Sequence, residues 1–121
     1  MPHLTVEYSA NVAGFDPLPA LRAMNRALAA TGEFKEIDIK ARARRVEDFI
    51  VGTEEDQRGF IHAKLAILSG RSEDTKKRVS ETLLEALQAA TPRVPGLHLQ
   101  LCAEIIDIDR ASYAKSLRQD T

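Results

Sequence analysis

Hydrophobic and polar positions alternate along the first residues of the chain and then change to a longer period. Residues 2–8 alternate strictly, which predicts a strand with one buried face. Asp16 and Pro17 mark a helix start, because Asp can cap free backbone N–H groups and Pro is tolerated in the first turn. Gly32 is typical of a helix end. Between them, apolar residues recur at helical spacing on one face: Leu18, Leu21, Met24 and Leu28.

Two further strands are predicted in the middle of the chain. The second strand covers about 37–51, with Ile37, Ile39, Ala41 and Ala43 on one face and Asp38, Lys40, Arg42 and Arg44 on the other. An acidic turn at 52–56 separates it from the third strand at about 58–68. In that strand, one face carries Ile61, Ala63, Leu65 and Ile67, and the other carries Phe60, His62, Lys64 and Ala66.

A second helix and a fourth strand complete the pattern. Ser72 is placed to cap the helix, with acidic residues directly after it where the helix dipole favours negative charge, and Pro92 ends it. The apolar stripe of this helix consists of Val79, Leu83, Ala86, Leu87 and Ala90. Residues 97–108 alternate again as a strand, and the polar tail from Arg110 can add a short helix.

The order strand–helix–strand occurs twice, at about 2–51 and 58–108, without a linker between the halves. It predicts one domain over residues 1–121 of the α/β (α+β) class, a tandem β-α-β fold whose four-stranded sheet carries both helices on one face. The other face is uncovered. The last strand has apolar residues of both parities: Leu99, Leu101 and Ile105 on one side, Ile106 and Ile108 on the other. We therefore expect an apolar uncovered face and self-association in a closed ring.

Composition narrows the class of protein. The 121 residues are 44% hydrophobic and 29% charged, and the formal net charge of -1 gives no basic excess for nucleic acid. No apolar run approaches the roughly 20 residues that span a bilayer, and the amino-terminal residues lack the order of a signal peptide. The single cysteine, Cys102, suits a reducing compartment. We expect a cytoplasmic protein with no nucleic-acid or membrane partner.

Pro2 is the first residue that could carry chemistry. Removal of Met1 before this small residue would leave a secondary amine at the chain terminus. Burial of such an amine at a strand start disfavours its protonated form, so that it can act as a general base near neutral pH. Proline at the second position also occurs without a catalytic role, so the residue alone leaves both interpretations open.

Two groups of cations could bind an anion. The segment Gly70-Arg71-Ser72 opens a helix, where backbone N–H groups favour anions and the Arg71 guanidinium suits a carboxylate. Lys40, Arg42 and Arg44 form a row on one strand face, a positive stripe that could receive an anionic substrate. The alternatives are an ordinary helix cap and a solvated face balanced by nearby acidic residues.

The histidines and the cysteine favour structural roles. His3, His62 and His98 lie on three different predicted strands without the spacing of a metal site. We interpret them as sheet-face residues and expect no metal. Cys102 lies in mid-strand with no histidine paired to it in sequence, which favours a buried structural role over nucleophilic catalysis.

Several segments in register resemble the tautomerase superfamily, whose members use an amino-terminal proline as catalytic base. The similarity is to the 5-carboxymethyl-2-hydroxymuconate isomerase family and runs from Met1 to about Ile108 with order and spacing preserved. The matching segments are Met1–Glu7, Leu28–Gly32 with Phe34, and Phe60–His62 through Gly70–Ser72. Residues 68–77 also resemble the first turn region of 4-oxalocrotonate tautomerase, a shorter relative.

The resemblance implies a homotrimer, a base at Pro2, and a small-molecule carboxylate substrate bound by Arg71 and by a cation on the second strand. Where the family has a strand arginine, this chain has Lys40, with Arg42 two residues on, and either residue could take the role. No metal or organic cofactor is needed, since one amine of suitable pKa can take a proton from an enol oxygen and return it to carbon.

The sequence thus predicts an isomerase that moves a proton and a double bond in a small anionic 2-hydroxymuconate-type dienol. The resemblance implies 5-carboxymethyl-2-hydroxymuconate as the substrate, an intermediate in the degradation of aromatic compounds. One alternative is another reaction of the superfamily, namely a promiscuous enol–keto tautomerase or a proline-based decarboxylase or hydratase. The other is a non-catalytic, ferredoxin-like oligomer that binds a small acid or only itself.

Overall fold

In the computed structural model, which describes residues 1–120, the two halves of the chain form one four-stranded sheet. The first half contains β1 (His3–Ser9), α1 (Pro17–Ala30) and β2 (Lys40–Val46). The second half contains β3 (Arg58–Leu68), α2 (Glu73–Ala90) and β4 (His98–Ile108). Short 3-10 turns at Glu36–Asp38 and Arg110–Ser112 precede β2 and follow β4. The predicted tandem β-α-β order is confirmed.

Strand β1 lies inside the sheet, whose order is β2-β1-β3-β4. It pairs in parallel with β2 and antiparallel with β3, and β3 pairs in parallel with β4. His3, at the start of β1, lies opposite Lys40 on one side and Ala66 on the other. Strands β1 and β2 therefore begin at the end of the sheet where β3 and β4 finish, and loops from both halves of the chain meet there.

Both helices pack on one face of the sheet, as predicted. The core consists of inward-facing residues of β1, β3 and the two helices, none more than 2% exposed: Leu4, Val6, Ile61, Ala63, Leu65, Ile67, Ala20, Met24, Leu28, Val79, Leu83 and Leu87. Leu18 is an exception to the predicted stripe of α1, since it is 63% exposed. It lies two residues from Ala20, about half a helical turn, and therefore faces away from the sheet.

The second strand is shorter than predicted. It covers Lys40–Val46 rather than 37–51, because β1 ends at Ser9, whose partner Val46 closes the ladder. Ile37 was expected on the face of Ile39, but it lies in the 3-10 turn before β2 and is 78% exposed. Tight turns rotate successive side chains differently from strands, so the alternation does not extend back to residue 37.

The uncovered face of the sheet is mostly polar, contrary to the expected apolar surface. One row across the four strands contains Arg42, Thr5, Lys64 and Glu104. The charges lie here because each alternates with a core residue in its own strand. Ile106 is the exposed large apolar residue of this face, 39% exposed, and it lies beside Ala66 at the end of the sheet where β1 begins.

Two single-residue expectations are also corrected. Asp16 stands at the amino-terminal cap of α1, but its side chain makes no capping hydrogen bond, whereas Ser72 accepts one from the Thr75 N–H at 3.2 Å as predicted for α2. Cys102 is exposed rather than buried, because its neighbours in β4 take the side that faces the core. Within residues 1–120, neither helix combines the length and the apolar character needed to cross a membrane.

The packing of α2 against the sheet predicts the cost of opening a cavity there. Leu83→Ala is expected to lower the free energy of unfolding by about 2–5 kcal/mol, because Leu83 is fully buried between the helices and the sheet. The same change at exposed Leu18 is the matched control and should alter it by less than about 0.5 kcal/mol. Urea denaturation at one fixed protein concentration measures both, and equal losses would contradict this assignment of the core.

Candidate active site

Pro2 is fixed at the end of the sheet where β1 begins. Its ring is fully buried, and its parity in the strand matches that of the core residues Leu4 and Val6. The Pro2 carbonyl accepts a hydrogen bond from the Lys40 N–H at 3.1 Å, which continues the ladder between β1 and β2. Met1 precedes it and is half-buried. The sheet therefore places the Pro2 nitrogen, although that nitrogen is one residue from the chain terminus.

Cations from three segments surround the amino terminus. Burial lowers the pKa of the terminal amine of Met1, and the charge of Lys40 lowers it further. Asp38 opposes this shift, while Arg71 and Lys115 add to it. The three cations come from the start of β2, from the loop before α2, and from the carboxyl-terminal tail (residues 109–120). The electrostatic surroundings of this terminus thus favour a neutral amine and a bound anion.

Arg71 is held in place by the loop that follows α1. Its Nε donates to the Glu33 carboxylate at 3.1 Å, and its Nη2 donates to the Glu33 carbonyl at 2.9 Å. The guanidinium also lies over the Phe34 ring, 4.8 Å from the ring centre. Stacking and two hydrogen bonds fix the plane of the guanidinium, which is the preorganisation that carboxylate binding requires. The side chain remains 25% exposed, so an anion from solvent can reach it.

Lys40 and Arg42, the two candidates on β2, lie in different surroundings. The Lys40 ammonium bends back to the carbonyl of Asp38, and burial together with the charge of Lys115 lowers the pKa of Lys40. Lys40 acts on the terminal amine, whereas Arg42 is exposed and its charge acts on His3 and Lys40. The structure therefore brings Pro2, Lys40 and Arg71 together and leaves Arg42 beside them.

His3 links β2 to the tail. Its Nδ1 lies 3.1 Å from Nη2 of Arg42 and its Nε2 lies 3.2 Å from the Tyr113 hydroxyl. Because a guanidinium can only donate, Nδ1 accepts and Nε2 carries the proton, which it donates to Tyr113. Burial lowers the pKa of His3, and Lys40, Arg42 and the terminal amine lower it further, in agreement with a neutral ring. His3 is a sheet-face residue with a positioning contact, as its alternation predicted.

The tail supplies residues that the sequence pattern did not reveal. Lys115 lies with its Nζ 3.4 Å from Asp38 Oδ1 and 3.0 Å from the Met1 sulfur. Tyr113, also in the tail, and Glu33 and Asp38, outside it, likewise belong to no sequence motif that would identify them. Their partners are far apart in sequence, so only the folded chain shows that they meet. The charged sequence of the tail was the only feature that could have pointed to Lys115, and it did not indicate where in the fold the tail lies.

The other sequence candidates lie away from this cluster. Arg44 lies opposite Glu7 in the ladder between β1 and β2, and His62 lies 3.2 Å from Glu104 on the uncovered face. Two surface clefts have volumes of about 610 and 640 Å³. The first is lined mainly by the loop between α2 and β4, the second by α1 and the segment that leads into β2, and neither contains Pro2, Lys40 or Arg71. The candidate site thus lies outside these two clefts.

The chain matches one protein family along nearly its whole length. The family of 5-carboxymethyl-2-hydroxymuconate isomerase matches residues 2–118. The 5-carboxymethyl-2-hydroxymuconate Delta-isomerase of Escherichia coli is 34% identical over 89 residues, which are 73% of this chain and 71% of that protein.

Solved structures agree with this match. A 5-carboxymethyl-2-hydroxymuconate isomerase from Deinococcus radiodurans R1 superposes with a TM-score of 0.85 at 30% identity, over 97% of this chain and 90% of the other. A fused 4-OT, described as a symmetric trimer, shares the fold with a TM-score of 0.70 at 16% identity, over 94% and 91% of the two chains. The chain belongs to the 5-carboxymethyl-2-hydroxymuconate isomerase family, and it is an isomerase with the tautomerase fold.

Proposed function

We propose that this isomerase converts 5-carboxymethyl-2-hydroxymuconate and that the amine of Pro2, exposed after removal of Met1, is its general base. The observation that carries the proposal is the position of Pro2, which is buried at the start of an internal strand with Lys40 and Arg71 beside it. Membership of an isomerase family disfavours the non-catalytic alternative.

The surroundings of the Pro2 nitrogen suit a base. Burial and nearby cations already lower the pKa of the amine of Met1, which is only half-buried. The ring of Pro2 is buried on the side of the core, so desolvation also disfavours the charged form of its nitrogen once that nitrogen is the terminal amine. A neutral secondary amine can then accept the proton of the enol hydroxyl. The resulting ammonium returns a proton to carbon as the double bond moves, so the amine is regenerated.

Arg71 and Lys40 are proposed to bind carboxylates of the dienol. A muconate carries two carboxylates, and the Arg71 guanidinium offers a planar edge for one of them. Lys40 contributes a point charge, which attracts a second carboxylate or the oxyanion that forms when the enol loses its proton. Arg42 lies further along β2 with its guanidinium engaged by His3, so we assign it a smaller part.

We place this reaction in the degradation of aromatic compounds in the cytoplasm. A hydroxylated muconate is the type of dienol that opening of an aromatic ring produces. The location is supported by the single cysteine of the chain, Cys102, since unpaired thiols are typical of reducing compartments.

We further propose a closed homotrimer. The uncovered face of the sheet spans all four strands, and strands β2 and β4 both leave an edge without a partner strand among residues 1–120. Closed assembly would cover these edges and the apolar end around Ile106. The fused 4-OT with the same fold is described as a symmetric trimer, which supports the same arrangement here.

The base is tested by the state of the Pro2 nitrogen. Pro2→Ala keeps a terminal amine but changes its basicity and position, so we expect kcat/KM to fall by about 10²–10⁴-fold. Protein in which Met1 is retained carries an amide at Pro2, and it should be nearly inactive although it folds as described here. Ultraviolet absorbance of the dienol measures turnover, and intact mass verifies the terminus. Full kcat with Met1 retained would disprove the mechanism. The mass of the product tests the type of reaction separately, because isomerisation leaves it unchanged whereas decarboxylation or hydration alters it.

The cations are tested one at a time. Arg71→Ala and Lys40→Ala are expected to raise KM for the dienol, with a loss of roughly 2–5 kcal/mol of transition-state binding where the ion pair is shielded from water. Arg42→Ala is the matched control on the same strand and should show a much smaller loss. Steady-state kinetics at constant ionic strength make the comparison. Wild-type kinetics in all three variants would rule out carboxylate binding by these residues.

The trimer is tested by mass in solution. Light scattering at micromolar concentration should give the mass of three chains of 13.4 kDa each. Ile106→Glu places a charge on the uncovered face and should shift the population to smaller species, because an unpaired buried charge is costly at an interface. Leu18→Glu on the helix layer is the control and should leave the mass unchanged. A monomer for the wild-type chain would refute the proposal.

A further inference from the structure

The carboxyl-terminal tail crosses the end of the sheet where Pro2 lies. Arg110 anchors its beginning, because its guanidinium donates to the Ser69 carbonyl from Nε at 3.2 Å and from Nη2 at 3.1 Å. Tyr113 then contacts His3 at the start of β1, and Lys115 reaches Asp38 in the 3-10 turn before β2. The tail thus passes from the end of β4 past the end of β3, where Ser69 lies, and then past the start of β1 to the start of β2.

This path brings the ammonium of Lys115 next to the amino terminus. Its Nζ lies 3.0 Å from the sulfur of Met1, the residue attached to the Pro2 nitrogen. Lys115 is therefore within one side-chain length of the proposed base, and it approaches from a different segment than Lys40 and Arg71. The positive charge of Lys115 contributes to lowering two pKa values, that of the terminal amine and that of Lys40.

The three cations near the amino terminus have different partners. Arg71 is paired with Glu33, and Lys115 is paired with Asp38, whereas the Lys40 ammonium contacts a carbonyl rather than a carboxylate. The pair between Lys115 and Asp38 is weak, because its distance is 3.4 Å and the two side chains remain 30% and 26% exposed. Because an ammonium has three N–H donors and solvent reaches this pair, Lys115 can bind a substrate carboxylate beside Asp38.

We infer that Lys115 is a specificity-determining residue that binds a third carboxylate of the substrate, beyond those bound by Arg71 and Lys40. The inference rests on the proposed function for the identity of the substrate, in which the carboxymethyl group adds a third carboxylate to the two of the muconate. The tail thereby makes the site favour tricarboxylates over dicarboxylates. His3, Tyr113 and Arg110 act as positioning residues, since they hold the tail in place.

The kinetic test compares two substrates that differ in that one group. Lys115→Met is expected to raise KM for 5-carboxymethyl-2-hydroxymuconate about tenfold relative to KM for 2-hydroxymuconate, whereas any change in kcat that follows from losing its charge near the terminal amine is shared by the two substrates. Lys115→Arg should restore most of the discrimination. Arg118→Met, an exposed cation further along the same tail, is the matched control and should behave as wild type. An equal effect on both substrates, or no effect, would overturn the inference.

A binding test separates this inference from the proposed function. Calorimetric titration with propane-1,2,3-tricarboxylate and with glutarate needs no turnover. We expect the wild-type protein to prefer the tricarboxylate and Lys115→Met to lose about tenfold in affinity for it alone. Should the wild-type protein turn over neither dienol, the proposed function fails and this titration alone decides the role of Lys115. Equal affinities in wild type and variant, or no binding of the tricarboxylate to wild type, would overturn that role.

Discussion

The proposed chemistry depends on fixing a chain terminus, which is the part of a protein that ordinarily frays. Strand β1 begins one residue after Pro2 and lies inside the sheet, with β2 on one side and β3 on the other. Hydrogen bonds on both sides therefore hold the first residues, and the core below holds Leu4 and Val6. A sheet with β1 at its edge would hold the terminus on one side only. The strand order thus gives a terminal nitrogen the positional accuracy of a core residue.

The same end of the sheet collects the charges. Because β1 and β2 begin where β3 and β4 finish, the start of β2, the loop before α2 and the tail all lie there. Each contributes one cation, and Glu33 and Asp38 hold two of the three in place. These pairs are partly exposed, so they orient the side chains more than they stabilise the fold. Positive charge is thus concentrated near the amino terminus, and the ion pairs that place it contribute little to the stability of the fold.

The local pattern of apolar and polar residues was sufficient to predict those helices and strands that pack on the core along their whole length. The alternation in β3 and the stripe of α2 through Leu83 match the structure because each faces the core over its whole span. The second strand is shorter than its alternation predicts, because its length is limited by that of its partner β1. Cys102 shows the same limit, as burial in β4 depends on which side of the sheet carries the helices. Periodicity defines faces, and only the assembled sheet defines which face is covered.

In the candidate site, too, some residues could be predicted from the sequence and others could not. Pro2 and Arg71 could be named from the sequence because each stands at the border of an element, at the strand start or before a helix, and Lys40 because it belongs to the row of cations on the second strand. Their supporting partners could not be named. Arg71 meets Glu33 across 38 residues, and Lys115 meets Asp38 across 77. Contacts of this range follow from strand order, which no single segment contains. Tyr113 beside His3, separated by 110 residues, is the extreme case.

Under the proposed function, the cations have two opposing effects on the base, and binding of the substrate changes their balance. Burial and the charges of Lys40, Arg71 and Lys115 lower the pKa of the terminal amine of Met1, and the same surroundings favour a neutral Pro2 amine, ready to accept a proton, once Met1 is removed. When substrate carboxylates bind these cations, part of the positive potential is neutralised and the pKa of the amine rises. The amine thus becomes a stronger base only when an anionic substrate is present. A neutral enol would leave the potential unchanged, so the cluster selects for charge in the proton transfer as well as in binding.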